Sequence, residues 1–487
     1  MNYFDAKLTE EERARLPYLE TIPMLLEKCG HDYADRLAVA DNDRQLTYAQ
    51  LLDEVGRCRT ILADFAPDAH IGVMCRNNVD AMCWMLAVPS SGRVVTMLPA
   101  SLSAPVLGAL VKKFDLAALV MDAEFLPLAD ALPLLRVTAS QRGEAYTEAA
   151  AVTRDTVAAI FMTGGTTGTP KGAVLSHGAL MRGAHNGTYR PAGRVFGNRY
   201  ILMLPMSHIF GAVAGFLSCL YTGSVIHGCK DVRTGVMMIP RLKPTGLVLV
   251  PGIVDVVLSL AKLKGKAFLG DLNAIICGAA PVPARLMTQL QAYGISLYAG
   301  YGLTEGTNLT CANLDTDKKP HTMGHFFPHQ EAKVVDGELW IRGDNLMNGY
   351  YNDPEETARV LEDGWLKTGD LVEIDEDGDV TIVGRIKNLI ILPNGENVSP
   401  EELENLVNQS NLVQDCLVRA DEENKLWVEI YPTEQAKAMG EAMQQAITDE
   451  VSAINKTLPT FKRMNRITLR EEDFKRTGAM KIDRRNS

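Results

Sequence analysis

Residues 161–172, FMTGGTTGTPKG, have the composition of a phosphate-binding loop. Every residue from Thr163 to Thr169 is Gly or Thr, and Pro170 and Lys171 follow. Glycines let backbone N–H groups approach a ligand closely, threonines supply hydroxyls and the lysine supplies a positive charge. Three chemistries can be built from such parts: a nucleoside-triphosphatase loop, a dinucleotide-binding turn and a carboxylate-activating loop.

The spacing of this loop excludes two of the three. A Walker A loop requires Lys directly after its last Gly and Ser or Thr after the Lys. Here Thr169 and Pro170 separate Gly168 from Lys171, and Gly172 follows the lysine. The dinucleotide turn requires G-x-G-x-x-G, which Gly164, Gly165 and Gly168 do not match. Neither a P-loop nor a Rossmann turn is therefore expected.

Bulk composition indicates a soluble multidomain protein. The chain has 487 residues, 46% of them hydrophobic, and a net charge of −11, which argues against a nucleic-acid partner. Its nine cysteines show no C-x-x-C pair, and the N-terminus lacks an apolar signal core, so we expect a reducing, cytoplasmic location. Residues 200–229 lack charged side chains, but their scattered polar residues favour a buried segment, and no transmembrane segment is expected.

The elements that must position the loop alternate between short β-rich runs and helical stretches over the first 330 residues, which predicts α/β architecture with largely parallel sheets. Strands are expected at 71–74, 94–98, 118–121, 158–162, 201–204 and 247–250, and helices at 48–63 and 283–292. After residue 330, Asp336-Gly337 and Asp377-Gly378 each predict a hairpin, with a type I′ turn in the first, and these hairpins suggest a β-barrel-like part.

The C-terminal segment is predicted to be a small, mobile α+β domain. Ser399-Pro400-Glu401-Glu402 fits a capping box, and apolar residues recur at helical spacing over 436–457. We place the boundary so that residues 1–386 form a large N-terminal domain and residues 387–487 a small C-terminal domain.

Six further motifs accompany the loop in one order, and together they resemble the adenylate-forming superfamily, which includes acyl-CoA synthetases. The loop TGGTTGTPKG resembles that family's T-S-G-T-T-G-x-P-K-G. The others are LTYAQLLDEV at 46–55, PMSHIFG at 205–211, YGLTE at 301–305, TGD at 368–370, GRIKNLI at 384–390 and TGAMKIDR at 477–484. The resemblance spans roughly residues 20–485.

The resemblance implies two half-reactions. A substrate carboxylate attacks the α-phosphorus of ATP to give acyl-AMP and pyrophosphate, and a thiol then displaces AMP. The implied cofactors are ATP, Mg²⁺ and coenzyme A, or a carrier-protein phosphopantetheine in place of coenzyme A. The implied partners are thus a carboxylic acid, ATP, and CoA or an acyl carrier protein.

The same resemblance assigns nucleotide-binding roles by position. Glu305 and Thr163 would coordinate Mg²⁺, Thr304 would reach the α-phosphate, and Tyr301 would stack on adenine. Asp370 and Arg385 would bind the ribose. The phosphates would contact Thr163, Gly164, Gly165, Thr166, Thr167, Gly168 and Lys171, and the adenine slot would include Gly278, Ala279, Ala280 and Gly302.

Four residues are implied in catalysis at the acyl group and in domain movement. Lys481 would bridge the carboxylate and the α-phosphate, and His208 would separate the ATP and acyl sites. Lys387 aligns with the family's hinge, and Gly395 would lie beside a pantetheine arm. Two residues depart from the family pattern, since Gly164 replaces a Ser and Met480 replaces a Gly.

Residues 205–211 carry no acidic side chain that could bind an amino-acid ammonium group, which argues against an α-amino acid substrate. The apolar stretches around them favour a fatty or aryl acid, and GRIKNLI with its continuation is most similar to bacterial fatty-acyl-CoA synthetases. Two alternatives stay open: a free-standing ligase that loads a carrier protein, and a non-catalytic nucleotide-binding relative.

Overall fold

A computed structural model describes residues 2–163, 170–392, 396–421, 423, 425–476 and 482–484. The first 385 residues build three sheets, and two of them are wound in the βαβ manner that the alternating sequence pattern predicts. Predicted strand ends agree with the structure to within two residues, and the expected strand at 201–204 is the one displaced by two residues at both ends, to Arg199–Leu202.

The seven-stranded sheet carries the glycine-threonine loop at the junction of two antiparallel strands, while its central strands are parallel. In spatial order its strands are Gly349–Tyr350, Lys171–Ser176, Val157–Thr163, Val94–Met97, His70–Met74, Leu116–Met121 and Leu135–Thr138.

The nine-stranded sheet is parallel through its centre and antiparallel at both edges. Its order is His325–Phe326, Asn308–Asn313, Ser296–Leu303, Ala274–Gly278, Gly246–Leu249, Arg199–Leu202, Val225–Gly228, Leu37–Ala40 and Gln45–Thr47.

Helices connect and cover these two sheets, and most of their buried faces join one large apolar core that extends from Phe4 to Val380. The helix Ala104–Lys113 packs with the seven-stranded sheet in a second apolar cluster. Typical N-terminal signals are present; for example, Thr47 and Gln50 form a capping box at the start of Tyr48–Leu62. The longer helices are Ile22–Tyr33, Tyr48–Leu62, Val79–Ser90, Ala104–Lys113, His177–Asn186, Val232–Leu242, Pro251–Lys264 and Ala284–Gln291; the shorter ones are Glu10–Ala14, Ser218–Tyr221 and Pro354–Val360.

The uncharged stretch that resembled a membrane segment is buried inside the large domain. It contributes strands to the nine-stranded sheet and a π-helix, Phe210–Leu217, whose residues are all buried. A Cβ on Gly211 would lie 2.3 Å from the carbonyl oxygen of Pro205, so this glycine permits a close backbone contact. Among the described residues, no helix has the length and apolar character needed to cross a membrane.

The antiparallel five-stranded sheet contains both predicted hairpins. It is formed by Glu331–Val335, Glu338–Arg342, Leu361–Glu362, Trp365–Ile374 and Val380–Arg385. Asp336 and Gly337 both have positive φ, as a type I′ turn requires. The second hairpin pairs Ile374 with Val380 through a longer loop, and of its Asp377-Gly378 pair only Gly378 has positive φ.

Residues 392–464 have a separate apolar core. The strands of this domain are Val413–Ala420, Leu426–Pro432 and Arg466–Leu469, and its helices are Pro400–Val407, Glu434–Lys437 and Ala442–Thr457. The short hairpin Ile390–Ile391 with Asn397–Val398 precedes the first helix. Ser399 caps the first helix through the N–H of Glu402. The expected continuous helix over 436–457 is wrong, because Gly440, at φ 60°, interrupts it.

Candidate functional site

The candidate site lies where strands of the three sheets end. Thr163 is the last residue of its strand and is paired across the hairpin with Lys171. The intervening residues 164–169 lie outside the described part of the chain, and with them the predicted phosphate contacts of Gly164, Gly165, Thr166, Thr167 and Gly168. The structure therefore positions both ends of the predicted loop.

Lys171 is held by residues that the motif comparison did not single out. Its Nζ lies 2.5 Å from a carboxylate oxygen of Glu356 and 5.1 Å from the ring centroid of Tyr350. Glu356 belongs to the helix Pro354–Val360, which Asp353 caps through the N–H of Glu356. The lysine is thus oriented and electrostatically compensated without a phosphate.

Glu305 follows the strand Ser296–Leu303 in a short 3₁₀ turn, Thr304–Gly306, that lies against the strand ending at Thr163. The hydroxyl of Tyr350 donates a 2.7 Å hydrogen bond to its Oε1, and its backbone oxygen accepts from Met347. Burial and the negative Glu305 raise the pKa of Tyr350, so the phenol stays a donor at neutral pH. The turn that carries Glu305 therefore lies beside the strand that ends at Thr163.

Asp370 is the centre of a second polar cluster, formed with Tyr301 and Arg385. Tyr301 donates a 2.6 Å hydrogen bond to Oδ2, and Nε of Arg385 lies 2.6 Å from Oδ1. The Asp370 side chain is only 2% exposed, and the ion pair with Arg385 offsets the cost of burying its charge. Burial and the carboxylate of Asp370 together raise the pKa of Tyr301.

Acidity alone does not distinguish Asp370 in its sequence neighbourhood. The nearby carboxylates of Asp375, Asp377 and Asp379 all lie within 2.9 Å of Nζ of Lys319, which connects the hairpin loop to the segment after the strand Asn308–Asn313. Asp370 instead faces the strand that carries the YGLTE motif. The tertiary structure thus separates one functional candidate from a structural ion-pair group.

The predicted adenine slot lies where two neighbouring parallel strands end. Gly278 ends its strand directly beside Gly300, and a Cβ on Gly278 would lie 2.7 Å from the Gly300 carbonyl oxygen. Ala279 has φ 65°, a left-handed conformation that is unfavourable for a residue with a Cβ. A Cβ on Gly302 would lie 1.6 Å from the carbonyl oxygen of Asn308, so packing of the backbone already requires that glycine.

His208 lies immediately before the π-helix, and its N–H donates to the carbonyl of Pro205. The first residue of that helix, Phe210, approaches the end of the neighbouring sheet: its Cζ would lie 3.4 Å from a Cβ on Gly278. A wholly apolar, buried helix therefore adjoins Gly278 at the end of its strand, and His208 precedes this helix in the chain.

The C-terminal candidates are described in part. Lys387 lies in the 3₁₀ turn Ile386–Asn388, directly after Arg385. Gly395 and Lys481, with Met480, lie outside the described residues. Arg476 and Ile482 form a bridge on either side of residues 477–481, and a Cβ on Gly252 of the large domain would lie 3.3 Å from Nη1 of Arg476. Arg476, which precedes the undescribed residues 477–481, therefore lies against the large domain.

Sequence reasoning missed Tyr350 and Glu356, although both belong to the stretch GYYNDPEETARVL between the predicted hairpins. A tyrosine pair followed by an acid-rich, Asp-capped helix was the available signal. Their roles depend on contacts with Glu305 and Lys171, which are distant in sequence.

Two family models match the chain. The model of the family "AMP-binding enzyme" matches residues 26–351, and that of "AMP-binding enzyme C-terminal domain" matches 387–487.

Two curated relatives align over most of their length. The chain is 30% identical to an indoleacetate–CoA ligase of Aromatoleum aromaticum, over 80% of this chain and 83% of the relative. It is 29% identical to a 3-[(3aS,4S,7aS)-7a-methyl-1,5-dioxo-octahydro-1H-inden-4-yl]propanoyl:CoA ligase of Rhodococcus jostii, over 79% and 83%.

Among solved structures, an anthranilate CoA ligase in complex with anthranoyl-AMP superimposes with a TM-score of 0.85 at 22% identity, covering 97% of both chains. At this identity the likeness establishes the fold. Together with the family matches, it shows that the chain belongs to the AMP-binding enzyme family, as an adenylate-forming enzyme of the acid–thiol ligase type.

Proposed function

We propose that the protein activates an apolar carboxylic acid with ATP, releases pyrophosphate, and transfers the acyl group from AMP to the thiol of coenzyme A. The observation that carries this proposal is that the strand Ser296–Leu303 and the turn after it bring Tyr301 to Asp370 and Glu305 to Tyr350. Lys171 lies over the ring of Tyr350, and the apolar π-helix approaches the neighbouring strand at Gly278.

The polar clusters suit the two ends of a nucleotide. The carboxylate of Asp370 can accept hydrogen bonds from two ribose hydroxyls, and its ion pair with Arg385 orients it. Tyr301 and the small residues Gly278, Ala279 and Ala280 would contact adenine, while Thr304 and Lys171 would face the phosphates. Binding of the ribose must compete with the hydroxyl of Tyr301 for Oδ2 of Asp370.

The donor set fits Mg²⁺. Glu305 supplies a carboxylate held by Tyr350, and Thr163 supplies a hydroxyl from the adjacent strand. Hard oxygen ligands of this kind are the ones that Mg²⁺ prefers. A cation bound there would reduce the negative charge of the phosphates, and the role of Glu305 and Thr163 is to hold it at the end of the loop.

The chemistry needs alignment more than acid–base groups. The acid is ionised at pH 7, and a thiol with a pKa near 8.5 requires little activation. The main barrier is the approach of a carboxylate to polyanionic phosphates, which fixed positive groups lower. Lys481 would place its ammonium between these two anions.

We further propose that residues 387–487 rotate about Lys387 between the two steps. The arrangement in the structure, with Arg476 beside Gly252, suits adenylation, because it brings the segment that carries Lys481 to the large domain. The other step would present Gly395 to the pantetheine arm of CoA.

The acid is proposed to be fatty or aryl. The π-helix Phe210–Leu217 offers only apolar side chains and glycines, and the strand end Gly246–Leu249 near it is also apolar. The names of the relatives mention indoleacetate and a bicyclic propanoyl group, which supports ring-bearing acids as the first to test.

The test is acid-dependent exchange of labelled pyrophosphate into ATP, measured across a panel of aryl, fatty and amino acids. We expect exchange with aryl or fatty acids and none with α-amino acids. CoA and a phosphopantetheinylated carrier protein are then offered as acceptors; a thioester on the carrier protein alone would contradict the proposed acceptor. Absence of exchange with every acid would contradict the proposed activity.

A substitution at Lys481 separates the two steps. Lys481→Ala should reduce pyrophosphate exchange by at least about 100-fold, since it removes a charge aimed at the reacting atoms. Thioester formation from supplied acyl-AMP and CoA should stay near the wild-type rate, because that step uses another face of the small domain. Arg463→Ala, in an exposed part of the same domain, serves as the control. A parallel loss of both steps would contradict the rotation.

A further inference from the structure

The two domains meet at a compact group of charged residues on the outer helices of the large domain. Arg285 begins the helix Ala284–Gln291 and forms a bidentate pair with Asp255 of the helix Pro251–Lys264, with N–O distances of 2.6 and 3.0 Å. The Arg285 side chain is 4% exposed. The pair therefore belongs to the large domain and is preorganised there.

Arg285 also reaches across to the small domain. Its Nη2 donates a 3.1 Å hydrogen bond to the backbone oxygen of Gln414, in the strand Val413–Ala420. Because a guanidinium has five N–H donors in a planar fork, it can hold Asp255 and a carbonyl together. A rotation of the small domain would remove Gln414 and leave the Arg285–Asp255 pair intact.

A second contact lies next to the first. Asp415, the residue after Gln414, binds Nη2 of Arg476 at 2.5 Å, and the Arg476 guanidinium approaches Gly252 in the first turn of the helix that carries Asp255. Asp473 also pairs with Arg476. The strand that Arg285 contacts and the segment that leads to Lys481 are thus connected by an ion pair.

We propose that Arg285 is a positioning residue for the adenylation step: it holds the small domain docked in the arrangement that brings the Lys481 segment to the large domain. This inference rests on the proposed function. In this proposal Arg285 contacts neither the nucleotide nor the acid. It acts only through the carbonyl of Gln414 and the Asp415–Arg476 pair.

The experiment compares Arg285→Met with Arg142→Met. Arg142 is also a largely buried arginine that bridges carboxylates, Glu54 and Asp80, but it does so away from the domain boundary. Pyrophosphate exchange should fall about 10-fold in Arg285→Met, the effect of one hydrogen bond from a charged donor. Thioester formation from supplied acyl-AMP and CoA should be unchanged, and both steps should be unchanged in folded Arg142→Met.

A readout of domain position accompanies the kinetics. Spin labels at Leu263→Cys, on the helix Pro251–Lys264, and at Lys425→Cys, in the small domain, report one inter-domain distance distribution. It should broaden or shift in Arg285→Met. If Arg285→Met does not fold, Arg285→Lys keeps a positive charge beside Asp255 but lacks the fork that reaches Gln414, and the same results are expected.

Two results would overturn the proposal: an unchanged distance distribution in the Arg285 variants, or equal losses in both half-reactions. Failure of the proposed function would look different. Wild-type protein would then show no acid-dependent exchange with any acid, while the spin-label distances would still report whether Arg285 holds the domains together.

Discussion

Lys171 has an anionic partner before any phosphate arrives, because Glu356 lies 2.5 Å from its ammonium group. A similar arrangement holds for Asp370, whose carboxylate accepts from Tyr301 and pairs with Arg385. In both clusters a protein group occupies a position that ATP is proposed to share. At the scale of single residues, the site is therefore charge-balanced and preorganised, and nucleotide binding exchanges one set of polar contacts for another.

Removing the competing charge should strengthen nucleotide binding. Glu356→Gln keeps the shape of the side chain and releases Lys171, so the dissociation constant for ATP should fall about two- to fivefold, the range expected for a partly exposed ion pair. Isothermal titration calorimetry measures it. Glu355→Gln, an exposed neighbour on the same helix, controls for the change in net charge. Equal affinities of the Glu356 variant and wild type would contradict the competition.

At the scale of elements, the helix Pro400–Val407 shows how local sequence signals and tertiary contacts combine. Ser399 and Pro400 start the helix, as the sequence indicates. Its buried Glu404, by contrast, accepts a 2.7 Å hydrogen bond from the N–H of Val418 and pairs with Arg484. Burial raises the pKa of Glu404 to about 7, although Arg484 opposes this shift.

The raised pKa of Glu404 predicts a pH dependence of stability. Between the ordinary carboxyl pKa of about 4.5 and about 7, the folded state holds a proton that the unfolded state has lost, so the free energy of unfolding falls as pH rises. Glu404→Gln does not titrate and can still accept from Val418. The melting temperature of Glu404→Gln minus that of wild type should therefore increase from pH 5 to pH 8.

Differential scanning calorimetry at several pH values measures this difference. Glu434→Gln, at an exposed position in the same domain, should leave the pH profile of the melting temperature unchanged. A constant offset between Glu404→Gln and wild type over the whole range would contradict the raised pKa.

At the scale of the whole molecule, the short turn Ile386–Asn388 connects the apolar core of the small domain to the large domain, which has two apolar clusters of its own. Across the domain boundary, the guanidinium of Arg285 donates to the carbonyl of Gln414, and that of Arg476 lies beside Gly252. Contacts of this kind can be exchanged during a rigid-body rotation at modest cost, as the proposed movement about Lys387 requires.

Stiffening the proposed hinge should separate the two steps in the opposite sense to Lys481→Ala. Proline is compatible with a 3₁₀ turn but restricts the φ change that rotation needs, so Lys387→Pro should retain adenylation within about threefold and lose at least about tenfold in thioester formation. Pyrophosphate exchange and thioester formation from supplied acyl-AMP measure the two effects. Lys387→Ala is the control, and equal effects of the two substitutions would contradict a hinge at this position.

Sequence alone was sufficient for the family, the α/β architecture, the identity of the motif residues and, to within two residues, the bounds of the strands it predicted in the large domain. Those features follow from local periodicity, turn chemistry and ordered motifs, which a linear chain displays directly. It did not indicate the interruption of the expected helix at 436–457, because apolar residues continue at helical spacing on both sides of Gly440.

Which side chains come into contact depends on the tertiary packing. Tyr350 orients Glu305, Glu356 compensates Lys171, and Arg285 reaches Gln414, each across a long separation in sequence. These contacts depend on how strands from different sheets and helices from different domains end beside one another. A hydrogen bond or ion pair acts over a few ångströms, so its partners are set by that packing and leave no periodic trace in the chain.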